Sequence, residues 1–380
     1  MPLIKTEVAM TVQTEKATLL LADGSVFEGR AFGARREAVG ETVFTTGMTG
    51  YIETLTAPGY YGQIVVQTFP LIGNYGMMAD DCESAQAWVS GYVVREWCDL
   101  PSNFRCEDDL DSFLKEQNIP GLCGIDTRRL TKILRESGVM NGLITTGEVT
   151  EANKPLLLAR LAGHTSGDAV ERVSCESPRR YKAENAARHV ALLDFGCRKS
   201  IVQALQQQGC EVTVLPGDTP PDQLLALNPD GILLSNGPGN PAQSPQRVAH
   251  VQALMQSGRA VFGIGLGHQL MALAAGAKTE KLKYGHRGDN QPVRDIARER
   301  VYITSQNHGY VVAGGSLPTE AGEISHINTN DGSCEGVRYR DIPAFSVQFH
   351  PEACGIPQDG AYLFGQFIKL MEEAKSNAAE

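Results

Sequence analysis

The chain has 380 residues, of which 42% are hydrophobic and 21% charged, so it is typical of soluble globular proteins with two or three domains. Its net charge of -10 argues against general nucleic-acid and membrane-surface binders, which need a basic face. The sequence has no apolar run of membrane-spanning length, no signal-peptide core in its first ten residues, and no Gly-Lys dipeptide of a nucleotide phosphate loop.

The nine cysteines are scattered along the chain and never form a Cys-x-x-Cys pair. This pattern predicts reduced thiols in a cytoplasmic protein, and it argues against both a disulfide framework and a zinc site. We therefore expect no metal in this chain.

The first part of the chain mixes short strands with helices that come late. After a loose leader over residues 1–16, an alternating stretch around Asp23-Gly24 predicts a β-hairpin. Two amphipathic helices are predicted at Glu107–Gln117 and Asp126–Ser137, and Asp126 is a suitable N-cap for the second. We predict a smaller α+β domain over residues 17–150, which has no catalytic spacing and serves structure or docking.

Residues 151–187 are predicted to hold a short helix, Pro155–His164, followed by a polar linker, Ser166–Ala187, that lacks periodicity. Strands and helices then alternate regularly, and the strands are continuously apolar. This pattern predicts an α/β domain over residues 188–374, with a parallel sheet covered by helices on both faces, and a tail over 375–380. In such sheets functional sites gather at the carboxyl ends of the strands.

One stretch of this second domain, Arg259–Gly276, predicts a buried strand, a glycine-rich turn and a helix. Small residues are needed where a strand reverses sharply into a helix, and this geometry presents a nucleophile at the tip of the turn. The tip residue is Gly265, which has no side chain. A structural turn packed with glycines remains open as an alternative. A dinucleotide fingerprint starting at Gly265 is disfavoured because its third glycine position is Leu270.

Three further loops end predicted strands of the same sheet. Ser235–Pro241 places two glycines around a proline, which exposes backbone N–H groups able to hold an oxyanion or a carboxylate. Ser305–Tyr310 follows a strand, and Pro343–Ala353 runs from a strand into His350-Pro351-Glu352, a suitable base and orienting carboxylate. Taken singly, the first two are also compatible with ordinary turns, and His350 with a hydrogen-bonded structural histidine.

Together these motifs resemble the class I, triad-type glutamine amidotransferases, which combine Gly-x-nucleophile-x-Gly-His-Gln, an upstream Asn-Gly-Pro-Gly loop and a late His-Pro-Glu. The wider sequence resembles the small-subunit family of carbamoyl phosphate synthetase. The stretches that carry this second resemblance span nearly the whole chain: LLDFGCRKSI, KYGHRGDNQPV, TSQNHGY and VQFHPEA in the second domain, and TTGMTGY, PLIGNYG and GIDTRRLT in the first.

The resemblance implies a subunit that hydrolyses glutamine and passes ammonia through an internal tunnel to a large synthetase subunit. That partner would use ATP, Mg²⁺ and bicarbonate to make carbamoyl phosphate for arginine and pyrimidine biosynthesis, and no cofactor is expected in this chain. The resemblance also implies a nucleophilic cysteine at position 265, with His350 as general base and acid and Glu352 as its orienter. The glutamine and the oxyanion would be held by Gly47, Gly237, Gly239, Leu266, Gln269, Asn307, Gly309 and Tyr310.

This sequence departs from the family pattern at the nucleophile, because position 265 is glycine. Loss of a nucleophile lowers the rate by several orders of magnitude, so we expect the glutaminase activity of this chain to be absent or very low. Cys197 and Cys354 lie on other loops and are not expected to replace it. A site long released from selection should lose its other residues too, which favours a recent or deliberate Cys→Gly change. Smaller departures occur at Asp289 and Gly355-Ile356.

Two functions of different class follow. The chain is either the glutaminase subunit of a carbamoyl phosphate synthetase that lacks its nucleophile, or a non-catalytic docking companion of a synthetase that uses external ammonia.

Overall fold

The computed structural model describes residues 15–183, 186–352 and 359–377. Most of the predicted leader, the last three residues of the tail, Cys354 and the departure at Gly355-Ile356 lie outside the described residues. Among the described helices, none has both the length and the apolar character needed to cross a membrane.

The N-terminal part of the chain forms a closed β-barrel. The described strands of this part, seven of which form the barrel, are β1 (Lys16–Leu21), β2 (Val26–Gly33), β3 (Ala38–Thr45), β4 (Gln63–Gln67), β5 (Leu71–Ile72), β6 (Gly91–Val93), β7 (Glu96–Trp97), β8 (Pro120–Cys123) and β9 (Met140–Thr145). The barrel has the order β1-β2-β8-β6-β4-β3-β9 and closes through antiparallel pairing of β1 with β9, while β5 and β7 pair separately. The predicted hairpin is confirmed, because β1 and β2 pair in antiparallel fashion on either side of Asp23-Gly24.

Among the described residues, five α-helices accompany the barrel and the segment that follows it. They are α1 (Tyr51–Thr56), α2 (Leu110–Glu116), α3 (Thr127–Ser137), α4 (Lys154–Ala162) and α5 (Ala169–Val173). The predicted N-cap of α3 is confirmed, since the Asp126 carboxylate accepts a hydrogen bond of 2.9 Å from the Arg129 amide. Helix α2 begins three residues later than predicted because Asp109 caps it in the same way.

The stretch predicted to be a linker contains ordered elements. Helix α5 is capped by Asp168, and strand β10 (Arg179–Tyr181) pairs with a strand of the second sheet. Five-residue and three-residue elements are too short to show a hydrophobic period, and β10 is exposed throughout. Because the stretch is polar and its elements are short, neither α5 nor β10 could be predicted from the sequence.

The C-terminal part is a ten-stranded sheet flanked by helices. The remaining strands are β11 (Arg188–Asp194), β12 (Cys210–Pro216), β13 (Gly231–Leu234), β14 (Ala260–Ile264), β15 (Thr279–Asp295), β16 (Arg300–Val312), β17 (Gly322–Asn328), β18 (Cys334–Tyr339) and β19 (Ala344–Val347). The remaining helices are α6 (Lys199–Gln207), α7 (Pro221–Leu225), α8 (Pro245–Met255), α9 (Leu266–Ala274) and α10 (Tyr362–Asn377). The strand order is β10-β12-β11-β13-β14-β19-β18-β17-β15-β16.

The centre of this sheet confirms the predicted α/β architecture. Strands β12, β11, β13, β14 and β19 are parallel, and successive residues of β11 enter separate cores on the two faces. Ala191 and Leu193 belong to one core, while Val190 and Leu192 belong to the other. Both cores are packed against helices, so the sheet is covered on both faces.

An antiparallel extension made of β18, β17, β15 and β16 adds to the predicted parallel sheet. It also settles the alternative of an ordinary turn at residues 305–310, because these residues lie within β16 and pair with β15. The ladder between the two strands is irregular at two places, and the polar, glycine-containing sequence there lacks the alternation of a half-buried strand.

Candidate functional site

A cavity of about 590 Å³ opens where the carboxyl ends of the parallel strands face the N-terminal barrel. This volume lies within the range of small-molecule sites. The barrel contributes Glu41 of β3 and Gln63 of β4, and the second sheet contributes the turn at Gly265 and the loop after β19. The site therefore lies at the strand ends, where open α/β sheets bind their ligands.

The turn between β14 and α9 has the geometry predicted for a nucleophile elbow. Gly265 has φ 57° and ψ -108°, and its amide donates a 2.9 Å hydrogen bond to the Val347 carbonyl. A Cβ at Gly267 would lie 2.3 Å from the Leu234 carbonyl oxygen, and one at Gly263 would lie 2.5 Å from the Met271 sulfur. These glycines are therefore required by close packing of the strand, the turn and the helix.

The backbone at position 265 predicts the cost of restoring a side chain. A Cβ there would combine a positive φ with a 3.2 Å contact to the Asn236 Cβ, closer than ordinary van der Waals contact. Strain of this kind costs roughly 1–3 kcal/mol, and the lower entropy of the unfolded chain returns up to about 1 kcal/mol. We expect Gly265→Cys to lower the free energy of unfolding by about 1–2 kcal/mol, measured by urea denaturation.

The matched control for this prediction is Gly258→Ala, because Gly258 also has a positive φ, 75°, but a Cβ there would meet nothing within 4 Å. The control reports the backbone strain without the contact to Asn236. A Gly265→Cys protein as stable as the parent would contradict the prediction.

His350 and Glu352 form the pair expected from the sequence. The Nδ1 atom of His350 lies 2.9 Å from Oε1 of Glu352, both residues are buried, and the His350 amide donates to the Ser305 carbonyl. Burial alone would raise the pKa of Glu352, but His350, and to a lesser degree Arg198, outweigh it and lower that pKa below its ordinary value. Glu352 thus remains ionised and holds Nδ1, which leaves Nε2 of His350 for proton transfer.

The cavity brings together most of the predicted glutamine-binding residues. Its lining includes, besides Gly265 and His350, the residues Gly237, Gly239, Leu266, Gln269, Asn307, Gly309 and Tyr310. The Gln269 amide donates 2.7 Å and 2.9 Å hydrogen bonds to the Tyr310 carbonyl and to Oε1 of Gln348, which fixes its orientation in the cavity. Their role in binding glutamine stays a prediction.

Gly47 is the exception, because it is not among the residues that line the cavity. It lies against Asp289, whose carboxylate would be 2.9 Å from a Cβ at position 47. The other oxygen of Asp289 accepts a 2.7 Å hydrogen bond from the Ser305 hydroxyl. The Asp289 carboxylate therefore occupies the space next to Gly47, and its hydrogen bond with Ser305 links it to β16.

Asn236 and Arg198 belong to the site but were not assigned a role from the sequence, whereas Asn307 was. Within the described part of the chain, Oδ1 of Asn236 and Oδ1 of Asn307 are buried without a hydrogen-bond partner, and both residues line the cavity. Unpaired buried acceptors are costly, so they are suited to receive a donor from a ligand. Asn236 is the first residue of the Asn-Gly-Pro-Gly motif in the loop Ser235–Pro241, so the sequence did point to this loop. Arg198 lies in the stretch LLDFGCRKSI that carries the family resemblance, but nothing in that stretch indicated its approach to Glu352.

A buried cluster of His286, His308 and Glu335 supports β16 behind the cavity. Nε2 of His286 lies 2.9 Å from the Asp331 carboxylate, and Nδ1 lies 3.4 Å from that of Glu335. Burial lowers the pKa of His286, but the two carboxylates outweigh it and raise that pKa above its ordinary value. The ring of His308 is held by hydrogen bonds to Gln306 and to the Tyr310 carbonyl. We interpret the cluster as an ion and hydrogen-bond network that keeps this part of β16 rigid.

Burial lowers the pKa values of three other histidines of this region. It lowers the pKa of His268 to about 3, with His326 as a smaller cause, and it lowers the pKa of His308 well below its ordinary value. It also lowers the pKa of His326 to about 4, although Asp295 opposes this effect. The three side chains are therefore neutral in the folded protein at mildly acidic pH.

Each of these three histidines therefore contributes a loss of stability as the pH falls. Below about pH 6.5 these histidines are protonated in the unfolded chain but not in the folded chain. For each of them, the free energy of unfolding therefore falls by about 1.4 kcal/mol for each unit by which the pH is lowered. We expect His268→Gln to have a shallower slope between pH 5 and pH 6 by that amount, measured by urea denaturation. Parallel curves of parent and variant in this range would contradict the prediction, and equal slopes above pH 7.5 are the internal control.

Comparisons with known proteins agree with these observations. Residues 19–144 match the family described as carbamoyl-phosphate synthase small chain, CPSase domain, and residues 191–370 match glutamine amidotransferase class-I. The chain is 48% identical to the carbamoyl phosphate synthase small chain of Clostridium perfringens, over 93% of this chain and 99% of that protein. It is 49% identical to the pyrimidine-specific small chain of Halalkalibacterium halodurans, over 96% and 99%.

Proposed function

Because the chain belongs to the carbamoyl phosphate synthase small-chain family and carries a class I glutamine amidotransferase domain, we propose that it binds glutamine for a large synthetase subunit. The observation that carries this proposal is the pairing of His350 with Glu352 in the same cavity as the elbow at Gly265. A base, its orienter and a nucleophile position are the parts that acyl transfer from an amide requires.

In this proposal the substrate is the γ-carboxamide of glutamine. A nucleophile at position 265 would attack the carbonyl carbon, and the Leu266 and Gly237 amides would hold the oxyanion. His350 would take the proton of the nucleophile and deliver it to the leaving nitrogen, and ammonia would pass to the partner that holds ATP and Mg²⁺. Water, activated by His350, would then hydrolyse the acyl group from position 265 and release glutamate. The chain as given lacks the attacking group, so it would bind glutamine and leave it intact.

A second candidate function is favoured by Gly265 itself. Without a thiol the chain would act as a docking companion that stabilises a synthetase fed by external ammonia. The N-terminal barrel supports either function, because it has its own cores and adds only a few residues to the cavity.

The experiment that tests both functions mixes the chain with the large synthetase subunit of a close relative. Complex formation is measured by size-exclusion chromatography, and ATP-dependent carbamoyl phosphate synthesis is measured with ammonium and with glutamine. We expect a stable complex that uses ammonium and fails to use glutamine. If the two proteins elute as separate chains when both are present at micromolar concentrations, the proposed partner is wrong. Glutamine-dependent synthesis by the chain as given would contradict the role of position 265.

A further inference from the structure

A buried glutamate of the N-terminal part, Glu83, reaches across to the start of helix α6. Its carboxylate accepts hydrogen bonds from the Ser200 amide at 3.1 Å and from the Ser200 hydroxyl, and its carbonyl accepts one from the Lys199 amide. Its own amide donates a 2.9 Å hydrogen bond to the Thr56 hydroxyl. Glu83 is 4% exposed, so the contact is shielded from solvent and from screening by salt.

The same carboxylate pairs with Arg198, the residue that precedes α6. Nη2 of Arg198 lies 2.5 Å from Oε1 of Glu83, and Nη1 lies 3.6 Å from Oε1 of Glu352. Glu352 Oε1 is also the atom that holds Nδ1 of His350 at 2.9 Å. One buried guanidinium therefore stands between a carboxylate of the N-terminal part and the orienting carboxylate of the catalytic pair.

The two distances show that Arg198 pairs more closely with Glu83 than with Glu352. It makes a close ion pair with Glu83 and only a long contact with Glu352, which leaves Glu352 bound to His350. A guanidinium attracts carboxylates strongly at low dielectric. Without the charge of Glu83, the guanidinium would be drawn to Glu352 and would compete with His350 for its oxygen.

We propose that Glu83 is a positioning residue for the amidotransferase reaction, acting through Arg198 to keep Glu352 on His350. This inference rests on the proposed function, because it assigns to the N-terminal barrel a part in the glutaminase site as well as in docking. It also means that the site is complete only while the two parts of the chain stay packed together. Displacement of Glu83 from Arg198 would lower the rate of hydrolysis without any change in the glutamine contacts.

The test uses Glu83→Gln in the full chain that carries Gly265→Cys. Glutamine has the volume of glutamate and still accepts a hydrogen bond from the Ser200 amide, but it removes the charge. Residues that orient a reacting group through another side chain typically change activity by 10- to 100-fold. We expect kcat for glutamine hydrolysis to fall by about tenfold or more, with KM changed by less than about twofold.

Two further variants separate positioning from simple support of the fold. Arg198→Lys keeps the positive charge and is expected to retain kcat within about threefold. Asp218→Asn is the matched control, because it removes one of the two carboxylates that pair with another buried arginine, Arg247, whose guanidinium donates hydrogen bonds to Asp218 and Asp168. We expect it to lower the denaturation midpoint and to leave kcat and KM unchanged.

A spectroscopic measurement tests the inference in the Gly265 chain, where no activity is needed. The low-field Nδ1–H resonance of His350, assigned by its loss in His350→Gln, reports the hydrogen bond to Glu352. Glu83→Gln should move this resonance upfield, and Asp218→Asn should leave it in place. If Glu83→Gln fails to fold, Glu83→Asp, which keeps the charge on a shorter side chain, takes its place and should give a smaller shift in the same direction.

The outcomes distinguish this inference from the proposed function. An unmoved His350 resonance, an unchanged kcat, or a change confined to KM would overturn the role of Glu83. An inactive Gly265→Cys parent would count against the proposed function, while a moved resonance in the Gly265 chain would still support the contact between Glu83 and the catalytic pair.

Discussion

Gly265→Cys is expected to produce glutamine hydrolysis roughly 10³-fold or more above the rate of the chain as given. The expectation follows from how complete the site is without the nucleophile. His350 is oriented by an ionised Glu352, the elbow is already in the required conformation, and Gln269 is held in place by Tyr310 and Gln348. In the proposed function, the substitution supplies the attacking sulfur, and His350 would accept its proton.

The measurement is glutamate release by the purified chain alone and in complex with a large subunit. Gly265→Ala is the matched control, because it introduces the same Cβ and the same backbone strain without a nucleophile, and it should remain inactive. Ammonium-dependent synthesis by the complex should be the same for all three proteins. A Gly265→Cys protein that folds, binds its partner and releases no glutamate would contradict the assignment of position 265.

Much of the second domain could be predicted from its sequence because its signals are local. The buried strand at Ala260–Ile264 and the glycines at the elbow appear as predicted, and the packing that requires them occurs within a few residues of the turn. The extended pairing of β15 with β16 could not be predicted in this way. Its residues are polar on the cavity side, so they lack the alternation by which strands are recognised.

In the site too, contacts between residues close in sequence could be predicted, and contacts between distant residues could not. His350 and Glu352 are two residues apart, and their contact follows from the chemistry of the motif. The contact of Arg198 with Glu83 joins residues that are 115 positions apart in the sequence (198 − 83), and it depends on how the barrel packs against the second sheet. Gly47 was assigned to the glutamine site by resemblance alone, and this role stays a prediction; in the structure Gly47 lies next to Asp289.

In the Gly265→Cys chain, His350→Gln is expected to remove nearly all of the restored activity, by roughly 10³-fold or more, while Glu352→Gln costs roughly 10²–10⁴-fold. Glutamine cannot accept the proton of the thiol, so the first variant loses the base. The second keeps the base but loses the carboxylate that holds Nδ1 of His350. Because Glu352 acts only through His350, the double variant should be no slower than His350→Gln alone.

The two single variants and the double variant form a double-mutant cycle, and kcat/KM for glutamine hydrolysis is measured for each of them in the Gly265→Cys chain. The glutamine affinity of the same variants is measured in the chain that keeps Gly265. Unchanged affinity is the control, since the residues predicted to contact glutamine are other residues of the cavity lining. If the two losses multiply, Glu352 acts on the reaction by a route that bypasses His350. The orienting role would then be wrong, and so would the path by which Glu83 and Arg198 are proposed to reach the base.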